Sequence, residues 1–503
     1  MNPASGNFYA SWRAQIYASN FLRDEHFPTE RLLQAVWQHQ RVRRDALKTL
    51  DGRTVRVYHP GFVSVEGGPD FRDAVVQIGE DLPRSGDVEI DLRAGGWRAH
   101  GHDRNPNFHN VLLHVIWEDM GIHASACGNR ADPLKPESLP AILCLQNVLD
   151  APLAELSLSL ENEPLRVLPQ NLRGKCAAAL RELTESQLLE LLNSAAGVRL
   201  ESRAAQFRAR AQSAGWEQAL WENLFRALGY KQNAWPMQNL AERRQDCGGG
   251  LFELQARLFG ISGLLPTEIG RRRPASRDCR ASKPGSRKRD DHYLRELWDF
   301  WWRERDKFEG CVLPRSLWKF HGLRPANHPQ RRIALASHWL ADVKLIAKIE
   351  EWISTAIPQK KLPGSLHEIL QVECDPYWSW HWTFASARLK NSRPLLGKAR
   401  VTDLAMNAVL PWLWIRARAI KNENIQQEVE RRFFSWPAGA DNSVLRLARQ
   451  RLLGLSEAEI FKTASAQQGL MQIVRDFCEL SNAICRDCRL PEFVCSQDRL
   501  GIT

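Results

Sequence analysis

Between Gly67 and His114 the chain sets acids and histidines into runs that otherwise read as β-structure. Gly67-Gly68-Pro69-Asp70-Phe71 comes first, then Gly86-Asp87-Val88-Glu89-Ile90-Asp91, then Trp97-Arg98-Ala99-His100-Gly101-His102-Asp103, and finally Asn110-Val111-Leu112-Leu113-His114. Burying a carboxylate costs free energy unless it is paired, hydrogen-bonded or bound to a metal. In a strand, Asp87, Glu89 and Asp91 face one side, while Val88, Ile90 and Leu92 pack on the other. With Asp70 ahead of a neighbouring strand, the acids Asp70, Glu89 and Asp91 form a ligand set for a hard ion such as Mg²⁺, which takes carboxylate oxygens, water and substrate phosphate. The chemistry that follows is phosphodiester hydrolysis. The same alternation also describes an edge strand with a solvated acidic face. His100 and His102 are either zinc ligands, general bases or surface histidines. His114, inside an apolar run, reads as a hydrogen-bonded core histidine.

A second group stands near the end of the chain. Cys478, Cys485, Cys488 and Cys495 offer four thiols after a long helix, and a closed Cys₄ zinc site is the reading preferred for them. An iron–sulfur cluster uses the same ligands, and reduced buried thiols are the third reading. The chain has eleven cysteines. An odd number, with the others scattered, does not describe a secreted disulfide framework.

The elements that must hold these residues are legible as periodicities. Helical spacing runs from Pro28 to Leu50. Strand-like runs follow at Val55–Tyr58, Ala74–Ile78, Asp87–Leu92, Val111–Trp117 and Ala141–Leu145. From Pro169 the pattern becomes helical: Ser186–Ala214, Glu217–Leu228, Met237–Ala241, Asp291–Arg305, Arg331–Ile357, Asp403–Ala419 and Asn442–Phe477. Pro411 is expected to kink or divide the sixth of these. The tryptophans on these helices (Trp216, Trp221, Trp298, Trp301, Trp302, Trp412 and Trp414) read as core. The expected class is α+β: a mixed sheet with a helix, a large helical region and a small Cys-rich end. At 503 residues several domains are expected. Their boundaries are read as 1–168, 169–269, a basic linker 270–290, 291–477 and 478–503.

The formal charge of +11 is uneven. Gly270 to Arg289 holds nine basic residues against one acid, a local +8 that leaves +3 for the rest. Arg271, Arg272, Arg273, Arg287, Lys288 and Arg289 are the residues expected to meet nucleic-acid phosphates, where released counterions favour binding. A solvated, self-repelling loop is the plain alternative. No run of about 18 apolar residues occurs, so no membrane span is expected. The first residues have neither a basic nor an apolar leader segment, and a cytoplasmic location is the default expectation. The oligomeric state has no signature in the sequence.

Two resemblances bear on these residues. The Gly-Pro-Asp-Phe, Gly-Asp-Val-Glu-Ile, Trp-x-x-His-x-His and Asn-Val-x-Leu-His-Val motifs resemble the bacterial family known as domain of unknown function 2851. So do Arg226-Ala227-Leu228-Gly229-Tyr230, Leu258-Phe259-Gly260 with Gly263-Leu264-Leu265-Pro266, Arg324-Pro325-Ala326-Asn327 and Gln468-Gly469-Leu470. That likeness implies no activity. The stretch 28–120 also resembles the core of PD-(D/E)XK nucleases, a helix followed by a small mixed sheet. Pro69-Asp70 matches the Pro-Asp, Glu89-Ile90-Asp91 stands at the Glu-x-Lys, and Glu30 matches an acid on the preceding helix. The chain departs at the lysine, which is Asp91. A lysine there helps position the attacking water, and Arg93, Arg98, His100 and His102 are the residues available to replace it. The resemblance implies a Mg²⁺-dependent nuclease for DNA or RNA, active or degenerate. The alternative is a non-catalytic nucleic-acid-binding or protein-scaffold protein with a structural zinc site.

Overall fold

The computed structural model describes residues 7–13, 28–64, 68–118, 139–153, 156, 174–230, 232–266, 284–441, 443–454, 462–479, 485 and 488–497. Helix α1 (Glu30–Gln38) starts where Pro28-Thr29 predicts, with Thr29 Oγ1 accepting a hydrogen bond from the Leu32 amide at 3.2 Å. Leu32, Leu33, Val36 and Trp37 form its buried stripe. The helix does not continue to Leu50. Gln40 takes a left-handed backbone (φ 49°), and residues 42–49 instead make isolated bridges to Leu149, Thr54 and Leu143.

Six strands follow: β1 (Val55–His59), β2 (Phe62–Val63), β3 (Phe71–Ile78), β4 (Arg84–Arg93), β5 (Val111–Glu118) and β6 (Ala141–Cys144). Their order is β1-β3-β4-β5-β6, with β2 also on β3. β1, β3 and β4 form an antiparallel meander, while β4, β5 and β6 run parallel. The sheet is therefore mixed, as expected, but β4 lies between two neighbours and is not an edge. Asp87, Glu89 and Asp91 are 8%, 7% and 3% exposed, so this acidic face is not solvated. On the opposite face Val88 and Ile90 join Val57, Val76, Leu113, Val115 and Leu143 beneath Leu33, Val36 and Trp37 of α1. Apolar burial of this kind is the main stabilising term for the sheet.

The chain resolves into two compact units, one of Met1–Ser202 with Asp441–Thr503 and one of Arg203–Ala440. Beside the sheet, the first unit contains a helical core. Leu180, Leu188, Leu191, Leu192, Leu445, Leu452, Leu470 and Phe493 meet there around Tyr9. Tyr9 Oη donates to Asp476 Oδ2 at 2.8 Å, and Arg13 pairs with the same carboxylate at 2.9 Å.

The second unit is helical among its described residues. Tyr230 Oη donates to Asn327 Oδ1 at 2.7 Å, and Arg332 donates to the same oxygen at 2.8 Å, which joins two of the motifs read above. Several predicted helices are divided. Residues 331–357 form Pro329–Ala341 and Leu345–Ser354, because Asp342 turns the backbone out of helix (ψ 84°). Residues 442–477 form Ser443–Leu453 and a second helix Ala464–Val474, capped by Thr463. Lys398–Leu404 and Leu410–Ala419 are separated by a π-turn at 405–409, with Pro411 in the first turn of the second helix. A proline without an N–H is tolerated there.

Trp221, Trp412 and Trp414 are core, as read from the sequence. Trp302 is not: it is 48% exposed, stacked on Trp298 at 4.7 Å and beneath the Arg305 guanidinium at 3.3 Å. Its i,i+4 spacing from Trp298 makes a stripe on the helix Pro284–Glu304 that faces solvent at that position. Among the described residues no helix is long and apolar enough to cross a membrane.

Candidate metal centre on the sheet

Register decides which acids meet. Phe71 of β3 pairs with Val88 of β4, which brings Asp70, one residue before β3, beside Glu89. Each side chain binds a backbone amide of the other strand's segment. Glu89 Oε2 accepts from the Asp70 amide at 3.0 Å, and Asp70 Oδ2 accepts from the Ile90 amide at 3.1 Å. Gln34 of α1 donates to the other Asp70 oxygen at 2.8 Å. Burial, opposed by the Gln34 hydrogen bond and reinforced by Glu30, pushes the Asp70 carboxyl up to about 7. Burial and the Asp70 charge push Glu89 up to about 8. Glu30 is raised by burial and then by Asp91. These acids disfavour one another's charge, so a proton or a cation must relieve them.

Asp91 is held from two sides. His114 on β5 meets its Oδ2 through Nε2 at 2.9 Å, and His100 meets Oδ1 through Nδ1 at 3.2 Å. His114 is thus the hydrogen-bonded core histidine that its setting predicts. Gly96, in the short helix α2 (Gly96–Ala99), lies so close that a Cβ there would stand 2.5 Å from Asp91 Oδ1. Gly101 takes φ 72°, a left-handed turn that L side chains resist, and it sits between His100 and His102.

His102 completes the arrangement. It is 9% exposed, and its Nδ1 has no hydrogen-bond partner and lies 3.6 Å from Glu89 Oε1. Phe108 stacks on the ring at 4.0 Å and Trp97 meets it edge-on at 5.4 Å. Burial lowers the His102 pKa, which favours the neutral imidazole that binds metals. Among the described residues, one ligand atom each from Asp91, His100 and His102 lies within 4.8 Å of the others. A mixed nitrogen and oxygen set suits zinc or manganese better than magnesium.

Asp87 shares the face of β4 but serves the fold. Its Oδ1 accepts from the amide of Asp73 at 3.2 Å, and Asp73 is a left-handed residue (φ 55°) in the register shift between Phe71 and Ala74. Of the residues read as substitutes for the missing lysine, Arg93 pairs with Glu118 at 3.3 Å and Arg98 is exposed, while both histidines stand at the acids. Gln34 and Phe108 were not singled out by the sequence, and Trp97 entered only through its motif. Gln34 follows Glu30 by four positions on a helix, which is the signal that would have found it.

The other sequence candidates lie elsewhere. Cys478, Cys485 and Cys488 are half-buried and Cys495 is exposed. Arg271, Arg272 and Arg273 fall outside the described residues. Arg287, Lys288 and Arg289 lie on the helix Pro284–Glu304, but their side chains fall outside the description.

A family model described as a protein of unknown function, DUF2851, matches residues 30–438. The chain belongs to that family. The matched region contains α1, the whole sheet and every acid and histidine of the site. No curated protein and no solved structure matches the chain.

Proposed function

We propose that this member of the DUF2851 family is a divalent-metal phosphodiesterase acting on DNA or RNA, with its centre at Asp70, Glu89, Asp91, His100 and His102. The observation that carries the reading is the convergence of buried acids with a buried, unpartnered imidazole nitrogen on one face of the sheet. Like charges held in a water-poor setting gain most from a bound cation. Asp91, His100 and His102 would hold the ion, or Asp70 and Glu89 would hold Mg²⁺. A metal held there would supply polarisation of a phosphoryl oxygen and a more acidic bound water. Glu30, raised by burial and by Asp91, would be the group to take the proton of that water. A helix ahead of a mixed sheet, with Asp70 entering β3 and Glu89 within β4, is the arrangement the nuclease resemblance implies.

A second reading rests on Asp91. An acid stands where the lysine is expected, and Arg93, the nearest arginine along the strand, pairs with Glu118. Both features weaken the case for a cation beside the phosphate and favour a nuclease-like fold kept for binding. Cleavage assays on single- and double-stranded DNA and RNA, with Mg²⁺, Mn²⁺ and Zn²⁺ in turn, separate the two. The enzyme reading expects cutting that disappears in Asp70→Ala and Glu89→Ala. Intact substrate under every metal removes it, and retained affinity for that substrate then favours the binding protein.

A further inference from the structure

The thiols that meet in the first unit are not the four that cluster in the sequence. Cys495 is exposed on the helix Leu490–Gln497. Cys176, far upstream at the start of the helix Cys176–Glu182, is 2% exposed. It lies in the same apolar core against which Cys478 and Cys488 pack. Arg451 binds the group together. Its backbone carbonyl accepts from the Gly174 amide at 2.8 Å, two residues before Cys176. Its guanidinium, in a residue only 1% exposed, reaches Cys485 Sγ at 3.4 Å and also hydrogen-bonds Cys478. Burial, reinforced by Cys478, Cys488 and Cys485, pushes the Cys176 thiol up to about 12. Cys478 rises to about 12, again chiefly through burial.

We propose that Cys176, Cys478, Cys485 and Cys488 bind a thiophilic metal centre, with Arg451 as its buried counter-charge and Cys495 outside it. Metals take thiolates, so binding would release the thiol protons to solvent. The resulting centre is anionic, and a guanidinium already buried against two of the sulfurs offsets that charge. Spacing bears on the occupant. A single tetrahedral zinc with Zn–S bonds of about 2.3 Å holds its sulfurs about 3.8 Å apart. Among the described residues no three of these thiols fall within 4.8 Å of one another. An iron–sulfur cluster, whose thiolates sit on separate irons, takes the same ligands at wider spacing.

The full-length chain, purified without oxygen, should contain either iron with acid-labile sulfide or zinc, and elemental analysis tells which. Cys176→Ser should lose that metal and Cys495→Ser should keep it. Alkylation of the wild-type chain, read by mass spectrometry, gives an answer that does not depend on a variant folding. Cys176, Cys478, Cys485 and Cys488 should be protected together and released together by a chelator, with Cys495 labelled throughout. A chain with no bound metal, or one whose metal needs Cys495 and not Cys176, overturns the proposal.

Discussion

Asp91 carries the most at the scale of single residues, because two histidines grip its oxygens and Gly96 presses against them. Gly96→Ala must displace the carboxylate or the turn. We expect divalent-metal affinity to fall about 10- to 100-fold, the range for disturbed ligand support; unchanged affinity by calorimetry would remove Asp91 from the ligand set. A second prediction concerns protons. Asp70 at about 7 and Glu89 at about 8 hold protons more tightly folded than unfolded. The folded state therefore binds more protons between about pH 4, where unfolded carboxyls titrate, and pH 8. Stability contributed by these two groups is greatest at the acid end of that window and falls as pH rises. Chelated protein should melt at progressively lower temperature from pH 5 to pH 8, and saturating metal should flatten the slope. A chelated Tm that holds level or climbs speaks against a raised acid pair. Spacing by two was enough to place Glu89 and Asp91 on one face. It was silent on which neighbours they meet, since Asp70 and His114 reach them only through the pairings of β3 and β5 with β4.

Helix α1 shows what an element contributes. It covers the sheet with Leu33, Val36 and Trp37 while aiming Gln34 at Asp70. Thr29→Ala removes its cap and should cost about 1 kcal/mol in urea unfolding. If stability is unchanged, the cap hydrogen bond is not formed in solution. The start of α1 was legible because a cap is a local signal. Its end was not, because the chain turns at Gln40 and Val42 and Thr49 then bridge to Leu149 and Leu143, which are distant in sequence. The helices also divide at Asp342 and before Thr463, where apolar periodicity persists across a break that only the backbone records. Alternation likewise found β4, yet its place between β3 and β5 is a matter of topology, which turned a solvated face into a buried one.

For the molecule as a whole, charge and connectivity matter most. The basic stretch 270–289 carries +8 of the net +11. If it holds nucleic acid, deleting it should make the logarithm of affinity fall less steeply with the logarithm of salt, by about one unit of slope for each phosphate it had neutralised. An unaltered slope in fluorescence anisotropy would return that stretch to a plain solvated loop. The mixed sheet and the helical majority were legible from periodicity. The pairing of Met1–Ser202 with Asp441–Thr503 was not, since no local pattern announces which distant helices share a core.

That pairing constrains how the protein is made. A ribosome delivers Tyr9 and Arg13 before the Arg203–Ala440 unit, and Asp476, which both of them bind, after it. Until then the early segment can meet Leu188 to Ser194 but not Asp476, while the intervening Arg203–Ala440 unit can pack against itself. The nascent chain therefore completes its inserted middle before it can close its first part. A premature stop ahead of residue 476 removes that carboxylate from the core around Tyr9, and the truncated chain should be cleaved by proteases faster than the full-length one.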